Sequence, residues 1–449
     1  MNINLRYGRD GLPVELPEAN VKHVLRMNEL PVIADPRAAA AAALREPIGS
    51  APLAELAQGR RNAVIVVSDL TRPVPNALLL PPVLDCLRES GMAAEDITIL
   101  VATGLHRGNT EVELAEMLGP EVMASGCRIE NHAARDKESQ VDLGMTPGGI
   151  PVKVDRRYVE ADLKILTGLI EPHLMAGYSG GRKAICPGLC AAETIMAWHS
   201  PRMLDPEEAR AGNLHGNPVH AEALAVADMA NGTAGPVMQY VTPAVFMVNV
   251  VMNERREITG LFAGEMREAH LAGMERAEQQ TKVALDGPVD IVITTSAGYP
   301  LDLTFYQGVK GLLAALPIVK PGGTIIIAQE NAEGIGGPEF TELILGQGDL
   351  EDFIEKAFAG HLCSIDQWQL QEMHKVCRHA SVFSYSSGVP INVQRELFVE
   401  PVASVEQAVA DALARHGAEA TIAVIPEGPY VLACLRDDLV GRRTVREMV

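Results

Sequence analysis

The chain has 449 residues, a formal net charge of -20, 47% hydrophobic residues and 21% charged residues. This length is sufficient for two domains with separate cores, and the composition is that of a folded globular protein rather than a disordered one. The acidic balance repels phosphate backbones, so we expect no nucleic-acid partner. An anionic small substrate would have to be bound by a few well-placed cations.

The sequence predicts neither a membrane segment nor a disulfide framework. Apolar runs stay below the roughly 18 residues that span a bilayer, and the first residues lack a signal-peptide pattern, so we expect a cytoplasmic protein without a membrane partner. The seven cysteines are odd in number and scattered. Cys186 and Cys190 lie about one helical turn apart, but no second pair completes a metal site. Four further residues have zinc-like spacing: His361, Cys363, His374 and Cys377. They lack the tight turn of a structural zinc knuckle, so zinc is not favoured there.

The first part of the chain alternates between predicted strands and helices, the pattern of an α/β domain. It opens with a hairpin over 3–16, and Asp10-Gly11 is a strong turn pair. The elements predicted next are a helix over 36–45, strands over 62–68, 97–102 and 163–169, a helix near 78–90, a helix opening at Thr110 with Glu113 as a capping box, a helical stretch over 199–235, paired strands over 245–251 and 257–262, and a helix over 264–282.

A second α/β domain is predicted after a hinge at Asp286-Gly287-Pro288. We therefore divide the chain into domains over 1–285 and 286–422, with a tail over 423–449 that packs back on the first domain. The elements predicted in the second domain are a strand over 289–294, a helix carrying Gln307 and Lys310 on one face, a turn over 321–323 into a strand over 324–328, helices within 338–358, a strand over 381–385, a helix over 405–416 and a strand over 421–425.

Polar side chains follow three predicted strands of the first domain. Asp69 and Arg72 come after the strand over 62–68, His106 after the next strand, and His173 after the strand over 163–169. Because the carboxyl ends of parallel strands meet at one edge of a sheet, we expect these side chains to share one crevice. Loops at such an edge often carry reactive groups on a rigid base.

The stretch over 171–200 predicts a cofactor site. Gly180 and Gly181 let the backbone approach an anion closely, and Lys183 follows them directly. His199 lies next to Trp198. Lys183 admits three interpretations: a point charge for phosphate, a covalent attachment point or a solvated lysine. The Walker pattern and the G-x-G-x-x-G pattern are missing, which counts against nucleoside triphosphates and simple dinucleotides.

The three histidines 106, 173 and 199 leave two chemistries open. Two of them could be acid/base groups on opposite sides of a substrate, an arrangement that suits racemisation. Alternatively, all three could bind one zinc ion in a hydrolase, although no pair has the H-E-x-x-H spacing. Arg72 and Lys310 supply the cations that an organic acid requires. A non-catalytic binder of organic anions is a third hypothesis.

The residues together resemble the nickel-dependent lactate racemase family over nearly the whole chain. The similarity extends to Gly298-Tyr299-Pro300 with Gln307 and Lys310, and to Asp366-Gln367-Trp368. The motifs that carry it most specifically are, in order, Asp69-Leu70-Thr71-Arg72-Pro73, Gly104-Leu105-His106-Arg107, Glu171-Pro172-His173, Gly177-Tyr178-Ser179-Gly180-Gly181-Arg182-Lys183 and Trp198-His199-Ser200.

This resemblance implies an isomerase, a racemase or epimerase of a small 2-hydroxy acid, with a nickel-pincer nucleotide cofactor. The family further implies two α/β domains with the active site in the cleft between them, and cofactor-synthesis proteins as partners. By residue, it implies that Lys183 is joined to the cofactor, that His199 ligates nickel, that His106 and His173 are the acid/base groups, that Arg72, Gln307 and Lys310 position the substrate or the cofactor, and that Asp69, Tyr178, Gly180, Gly181 and Trp368 surround the cofactor.

Overall fold

The computed structural model describes residues 1–233, 244–362 and 364–436. These residues form two compact units. We call residues 29–278 the middle unit, and residues 1–28 together with 279–436 the terminal unit. Each unit contains its own sheet and its own hydrophobic core.

The strands alternate with helices along most of the chain. Their bounds are β1 Asn2–Leu5, β2 Leu12–Glu15, β3 Val21–Val24, β4 Ala63–Ser68, β5 Ile97–Ala102, β6 Arg128–Asn131, β7 Gln140–Met145, β8 Pro151–Asp155, β9 Leu163–Leu169, β10 Pro172–His173, β11 Gly177–Tyr178, β12 Ala244–Met252, β13 Ile258–Gly264, β14 Lys282–Leu285, β15 Val289–Thr295, β16 Val319–Ala328, β17 Ser381–Tyr385, β18 Glu400–Pro401, β19 Ile422–Ile425 and β20 Leu432–Leu435.

The helices begin in most cases at a polar or proline cap. Their bounds are α1 Pro36–Arg45, α2 Leu53–Ala57, α3 Asn76–Glu89, α4 Glu111–Met123, α5 Arg156–Val159, α6 Ala192–Trp198, α7 Pro201–Leu204, α8 Pro218–Ala230, α9 Met266–Thr281, α10 Phe305–Ala315, α11 Pro338–Leu345, α12 Leu350–Phe358, α13 Gln367–His379, α14 Ile391–Gln394 and α15 Val405–His416.

A largely parallel sheet forms the centre of the middle unit, in the order β13-β12-β9-β4-β5-β6. Strand β9 runs parallel to β12 and to β4, β4 runs parallel to β5, and β13 is antiparallel to β12. Every residue of β9 is buried, as expected for a parallel strand covered on both faces. The three strands predicted to deliver site residues are therefore direct neighbours, and their parallel arrangement is confirmed.

Apolar residues of α1 to α4 pack on one face of this sheet. Leu80 and Leu84 of α3, and Leu118 of α4, share a buried cluster with Ile65 and Ile99 of the central strands. Burying each such side chain contributes on the order of 2 kcal/mol, so this contact fixes the helices against the sheet. The capping box predicted at the start of α4 is present, because Glu113 N–H donates to the Thr110 hydroxyl and Thr110 N–H to the Glu113 carboxylate.

The helical stretch predicted over 199–235 is wrong in its central part. Among the described residues of this stretch, only α7 and α8 are helical, and a loop joins them. Pro206 cannot donate a helical hydrogen bond, and Gly212 and Gly216 adopt positive φ angles of 70° and 66°. The end of the predicted stretch, residues 234 and 235, lies outside the described residues.

A parallel sheet also forms the centre of the terminal unit, in the order β18-β17-β16-β15-β19-β3. The predicted hairpin near the start of the chain is confirmed, with β1 antiparallel to β2. The turn predicted over 321–323 lies inside β16 instead. Val289 pairs with Val319 and Ile291 with Thr324, so the Pro-Gly-Gly segment bulges out of the ladder without ending the strand.

The first residues of the chain complete the sheet of the terminal unit. Strand β3 pairs in parallel with β19, and β20 pairs with β14. The chain leaves the middle unit between Glu278 and Gln279, shortly before the hinge predicted at Asp286. The predicted division puts residues 1–285 and the tail over 423–449 in the first domain. The structure instead places β3, β19 and β20 in the terminal unit. The prediction differs because local turn signals do not reveal long-range strand pairing. Residues 437–449 of the predicted tail lie outside the described residues.

Within the described ranges, no helix combines the length and the apolar character that a membrane span requires.

A lysine is buried in the central strand of the middle unit. The side chain of Lys164 in β9 is inaccessible to solvent, and its ammonium donates to the Ala230 carbonyl at 2.8 Å. The ammonium also lies 4.9 Å from the centroid of the Tyr158 ring. Burial lowers the pKa of Lys164 to about 7, because the apolar surroundings disfavour the charged form.

We predict that Lys164 makes the folded state more stable as pH rises from 7 to 9. An unfolded lysine has a pKa of about 10.4, so in this range the unfolded chain binds a proton that the folded chain releases. Relative to Lys164→Met, the wild type should gain about 1 to 2 kcal/mol of unfolding free energy between these pH values. Urea unfolding at several pH values measures this gain. The exposed Lys137→Met is the control, and a pH-independent difference between wild type and Lys164→Met would contradict the prediction.

Candidate active site

An aspartate and a histidine form a close pair at the ends of β4 and β5. The Oδ2 atom of Asp69 lies 2.6 Å from Nδ1 of His106, and the Thr71 hydroxyl donates to Oδ1 of Asp69 at 2.7 Å. Burial by itself raises the pKa of Asp69, but the charges and hydrogen bonds of His106, Thr71 and Arg72 outweigh it and leave that pKa below its usual value.

The ionised Asp69 decides the tautomer of His106. A carboxylate can only accept a hydrogen bond, so Nδ1 of His106 carries the proton and the lone pair of the neutral ring is on Nε2. The side chain of His106 is 46% exposed, whereas that of Asp69 is 8% exposed. This arrangement makes the ring of His106 a base whose orientation is held by a buried anion.

His173 has the opposite tautomer. It lies in β10 and is 8% exposed, and its Nδ1 accepts from the backbone N–H of Met175 at 3.4 Å and of Ala176 at 3.2 Å. Because Nδ1 is an acceptor, Nε2 carries the proton of the neutral ring. The two histidines that follow β5 and β9 thus differ in chemistry, since Nε2 accepts in His106 and donates in His173.

An arginine and a glutamate connect the ends of β4 and β9. Nη1 of Arg72 donates to Oε1 of Glu171 in an ion pair, and the side chains are 24% and 9% exposed. Arg72 follows Asp69, and Glu171 precedes His173. The guanidinium therefore lies between the ends of β4 and β9, and it is the cation of this group that the sequence predicts for an organic acid.

The glycines of the loop after β11 have no room for a side chain. Gly180 and Gly181 have φ angles of 79° and 50°. A Cβ on Gly180 would lie 2.6 Å from Oδ1 of Asn249, and one on Gly181 would lie 2.7 Å from the His270 ring. Oδ1 of Asn249 accepts from Gly181 N–H at 2.8 Å, and Nε2 of His270 donates to the Ser179 carbonyl at 2.8 Å. Asn249 and His270 thereby fix the turn that leads into Lys183.

Lys183 and His199 flank the same aromatic ring. Nζ of Lys183 lies 4.7 Å from the Trp198 centroid, and the Trp198 and His199 rings are 4.4 Å apart at 71°. Nδ1 of His199 donates to the Ile195 carbonyl at 3.0 Å, so the lone pair is on Nε2. Burial and the nearby Lys183 charge lower the pKa of His199 to about 3. The ring is therefore neutral near pH 7, the form in which histidine ligates metals.

Tyr178 and Arg182 are buried in the same loop. Burial raises the pKa of Tyr178, whose hydroxyl has no hydrogen-bond partner among the described residues. Arg182 donates to the Ala176 carbonyl at 2.7 Å, and burial lowers its pKa to about 9. Both side chains therefore belong to the interior of the loop rather than to its surface.

The remaining predicted residues lie in the terminal unit. Gln307 and Lys310 lie three residues apart on α10, and Gln307 is 8% exposed. Trp368, at the start of α13, donates from Nε1 to the Tyr306 hydroxyl at 2.9 Å, so it packs against the same helix. Their predicted roles in binding substrate or cofactor stay predictions.

The zinc interpretations find no support in this structure. In the part of the chain that the structure describes, no group of three or more His, Cys, Asp and Glu side chains is placed to hold a metal ion. This finding includes His106, His173 and His199. Cys363, one of the four residues with zinc-like spacing, lies outside the described residues.

Several residues of the site are not identified from the sequence alone. Glu171 opens the motif Glu171-Pro172-His173, but the sequence assigns it no role. Asn249 is a single polar residue in the otherwise apolar strand β12, and that interruption is the signal that marks it. His270 lies on α9 and is ordinary in its local sequence, so only tertiary packing identifies it.

Comparison with known proteins matches both parts of the chain to one family. Residues 7–212 match the model of the lactate racemase N-terminal domain, and residues 285–433 match that of the lactate racemase C-terminal domain. A lactate racemase of Thermoanaerobacterium thermosaccharolyticum is 34% identical over 442 residues, which is 96% of this chain and 99% of that protein. A lactate racemase of Lactiplantibacillus plantarum is 38% identical over 392 residues, which is 87% of this chain and 89% of that protein.

Solved structures agree with these matches. The structure of the lactate racemase apoprotein from Thermoanaerobacterium thermosaccharolyticum aligns with a TM-score of 0.87 at 33% identity, covering 96% of this chain and 100% of that one. A protein from Thermotoga maritima aligns with a TM-score of 0.71 at 20% identity, covering 90% and 99%, and shows the fold alone. The resemblance and the α/β fold class predicted from the sequence are confirmed.

We predict that Asn249→Ala loosens the loop before Lys183. The variant leaves the buried Gly181 N–H without its acceptor, which costs about 1 to 3 kcal/mol. Hydrogen exchange should accelerate in the peptide that contains Gly181 and Lys183. The control is Val250→Ala, which creates a cavity at a buried position of the same strand. It should lower global stability without a selective increase of hydrogen exchange in the Gly181–Lys183 peptide. Equal exchange in the two variants would refute the role of Asn249.

Proposed function

Since this chain belongs to the lactate racemase family, a family of isomerases, we propose that it interconverts the two enantiomers of lactate or of a similar small 2-hydroxy acid. Its relatives are named for lactate, and the chain covers nearly their whole length. The proposal concerns this chain's own substrate, its cofactor and the roles of its residues.

The observation that carries the proposal is the placement of two histidines, His106 and His173, after the two strands that flank β4, each with Nδ1 engaged by a protein group. Racemisation must run the same step from either face of the substrate carbon. In each direction one imidazole accepts the hydroxyl proton at Nε2, and the other, in its protonated form, returns a proton to the ketone oxygen. Nδ1 of both rings is engaged by protein groups, Asp69 for His106 and backbone N–H groups for His173, so Nε2 is the nitrogen left in each ring to exchange that proton. We assign them as the acid/base groups for opposite enantiomers.

A hydride route fits these groups better than removal of a proton from carbon. Taking a proton from the carbon beside an ionised carboxylate creates a dianion with little stabilisation, so the barrier is very high. Loss of hydride from that carbon, with loss of the hydroxyl proton to a histidine, gives a neutral ketone group instead. The ketone can turn and accept hydride on its other face, which inverts the configuration.

The residues around Lys183 fit the nickel-pincer nucleotide that the family resemblance implies. Lys183 supplies a primary amine for the covalent link, and the neutral His199 supplies Nε2 as a nickel ligand. Gly180 and Gly181 form the tight turn that leads into Lys183 and are proposed to bind the cofactor through their backbone. Tyr178, Asp69 and Trp368 are proposed to line its surroundings. When bound, this group supplies the hydride acceptor and donor that the reaction needs. Nε2 of His199 keeps its lone pair near pH 7 because burial keeps the ring uncharged.

The substrate carboxylate is assigned to Arg72. A guanidinium binds a carboxylate through two parallel hydrogen bonds, and one edge of Arg72 is already fixed by Glu171. We propose that Gln307 and Lys310 of α10 also bind the substrate or position the cofactor. Cofactor-synthesis proteins are the expected partners, and the cytoplasmic location stays a prediction.

The proposed function is tested by mass, metal and product analysis of the protein purified from a host that makes the cofactor. We expect an added mass on the peptide that contains Lys183, nickel in a one-to-one ratio, and conversion of either lactate enantiomer into a mixture of both. Lys183→Arg keeps the positive charge but cannot form the same link, so it should lose the added mass and the activity. Zinc without an added mass, or no conversion of any 2-hydroxy acid in a chiral panel, would exclude the proposal.

We predict that His106→Ala and His173→Ala each lower kcat by about 100-fold or more, because each removes one proton-transfer group. Nickel and the Lys183 mass should remain, since neither histidine is assigned to hold the cofactor. His215→Ala, at an exposed position of the same unit, is the control and should keep wild-type turnover. Near-normal activity of either site variant would disprove the assignment of two acid/base residues.

A further inference from the structure

The backbone of Glu171 is held by hydrogen bonds at both its N–H and its carbonyl. Its backbone N–H donates to the Ser179 hydroxyl at 3.0 Å, and its carbonyl accepts from Ser179 N–H at 2.9 Å. The Ser179 hydroxyl in turn donates to the Leu169 carbonyl at 2.7 Å. Through Ser179, the backbone of Glu171 is therefore fixed both to the last residue of β9 and to the glycine loop. The Glu171 side chain is thus attached to a backbone that has little conformational freedom.

The carboxylate on this fixed backbone pairs with the guanidinium of Arg72 and thereby holds it in place. A free arginine side chain loses conformational entropy when it is ordered. The ion pair with Glu171 orders Arg72 before any ligand binds, so less of that entropy is lost on binding. Glu171 is only 7% exposed, and a buried carboxylate of this kind is costly unless it is paired.

Glu171 also competes with Asp69 for the same cation. The charge of Arg72 is close enough to Asp69 to lower the pKa of that aspartate, and Asp69 is the hydrogen-bond partner of His106. Without Glu171, we expect the guanidinium to shift toward Asp69, a carboxylate whose pKa its charge already lowers. The ion pair thus keeps Arg72 directed to the end of β9. Asp69 then remains available as the hydrogen-bond partner of His106.

We propose that Glu171 is a positioning residue for Arg72, which it orients to bind the carboxylate of a 2-hydroxy acid. Glu171 itself touches neither the substrate nor the reacting atoms; it acts through the guanidinium. This inference rests on the proposed function, because the role of Arg72 in binding substrate is part of that proposal.

The test compares steady-state racemisation of lactate by the cofactor-loaded wild type, Glu171→Ala and Glu171→Gln. We expect Glu171→Ala to raise KM for lactate by about 10- to 100-fold, because the substrate must then order Arg72 itself, with kcat changed by less than about threefold. Glu171→Gln keeps an oxygen that accepts from Arg72, so it should recover most of the affinity. The added mass on the Lys183 peptide should be the same in all three proteins.

A double-mutant cycle separates positioning from a general structural role. In an Arg72→Ala background, Glu171→Ala should change kcat/KM by less than about twofold, because the residue through which Glu171 acts is gone. An equal loss in both backgrounds, an unchanged or lower KM in Glu171→Ala, or loss of the Lys183 mass would overturn the inference while the racemase proposal stands. A loaded wild type that racemises no 2-hydroxy acid would overturn both.

Discussion

The parallel pairing of β4 with β5 and with β9 is the constraint on which the candidate site depends. Parallel neighbours place their carboxyl ends at one edge of the sheet, and these three strands end in Asp69 and Arg72, in His106, and in Glu171 and His173. The strands are buried on both faces, so their register cannot shift without exposing core residues. The polar residues therefore meet at positions that the apolar core determines.

Burial sets the protonation of the site as much as its geometry does. His199 is kept neutral by its apolar surroundings and by the charge of Lys183, which leaves a lone pair for a metal. Asp69 stays ionised in spite of burial, because His106, Thr71 and Arg72 compensate for the lost hydration. Neutral imidazole and ionised carboxylate thus coexist within one unit, and each state follows from the partners that the fold supplies.

Hydrogen bonds to the ring nitrogens give the two acid/base candidates different chemistry. A carboxylate faces Nδ1 of His106, whereas backbone N–H groups face Nδ1 of His173. The same residue type therefore offers an acceptor in one position and a donor in the other. Around Lys183, Asn249 and His270 hydrogen-bond to the backbone of the glycine turn that leads into the lysine.

The sequence by itself determined the α/β class, the strands β4, β5 and β9, and the group Asp69, Arg72, His106 and His173 that follows them. These features are local, since apolar runs mark buried strands and polar residues mark their ends. Only the tertiary structure decided that β3 joins the terminal unit, that Glu171 pairs with Arg72, and that Asn249 supports the glycine turn. Those contacts join residues distant in the chain, and the side chains that make them carry no local pattern that reveals their partners.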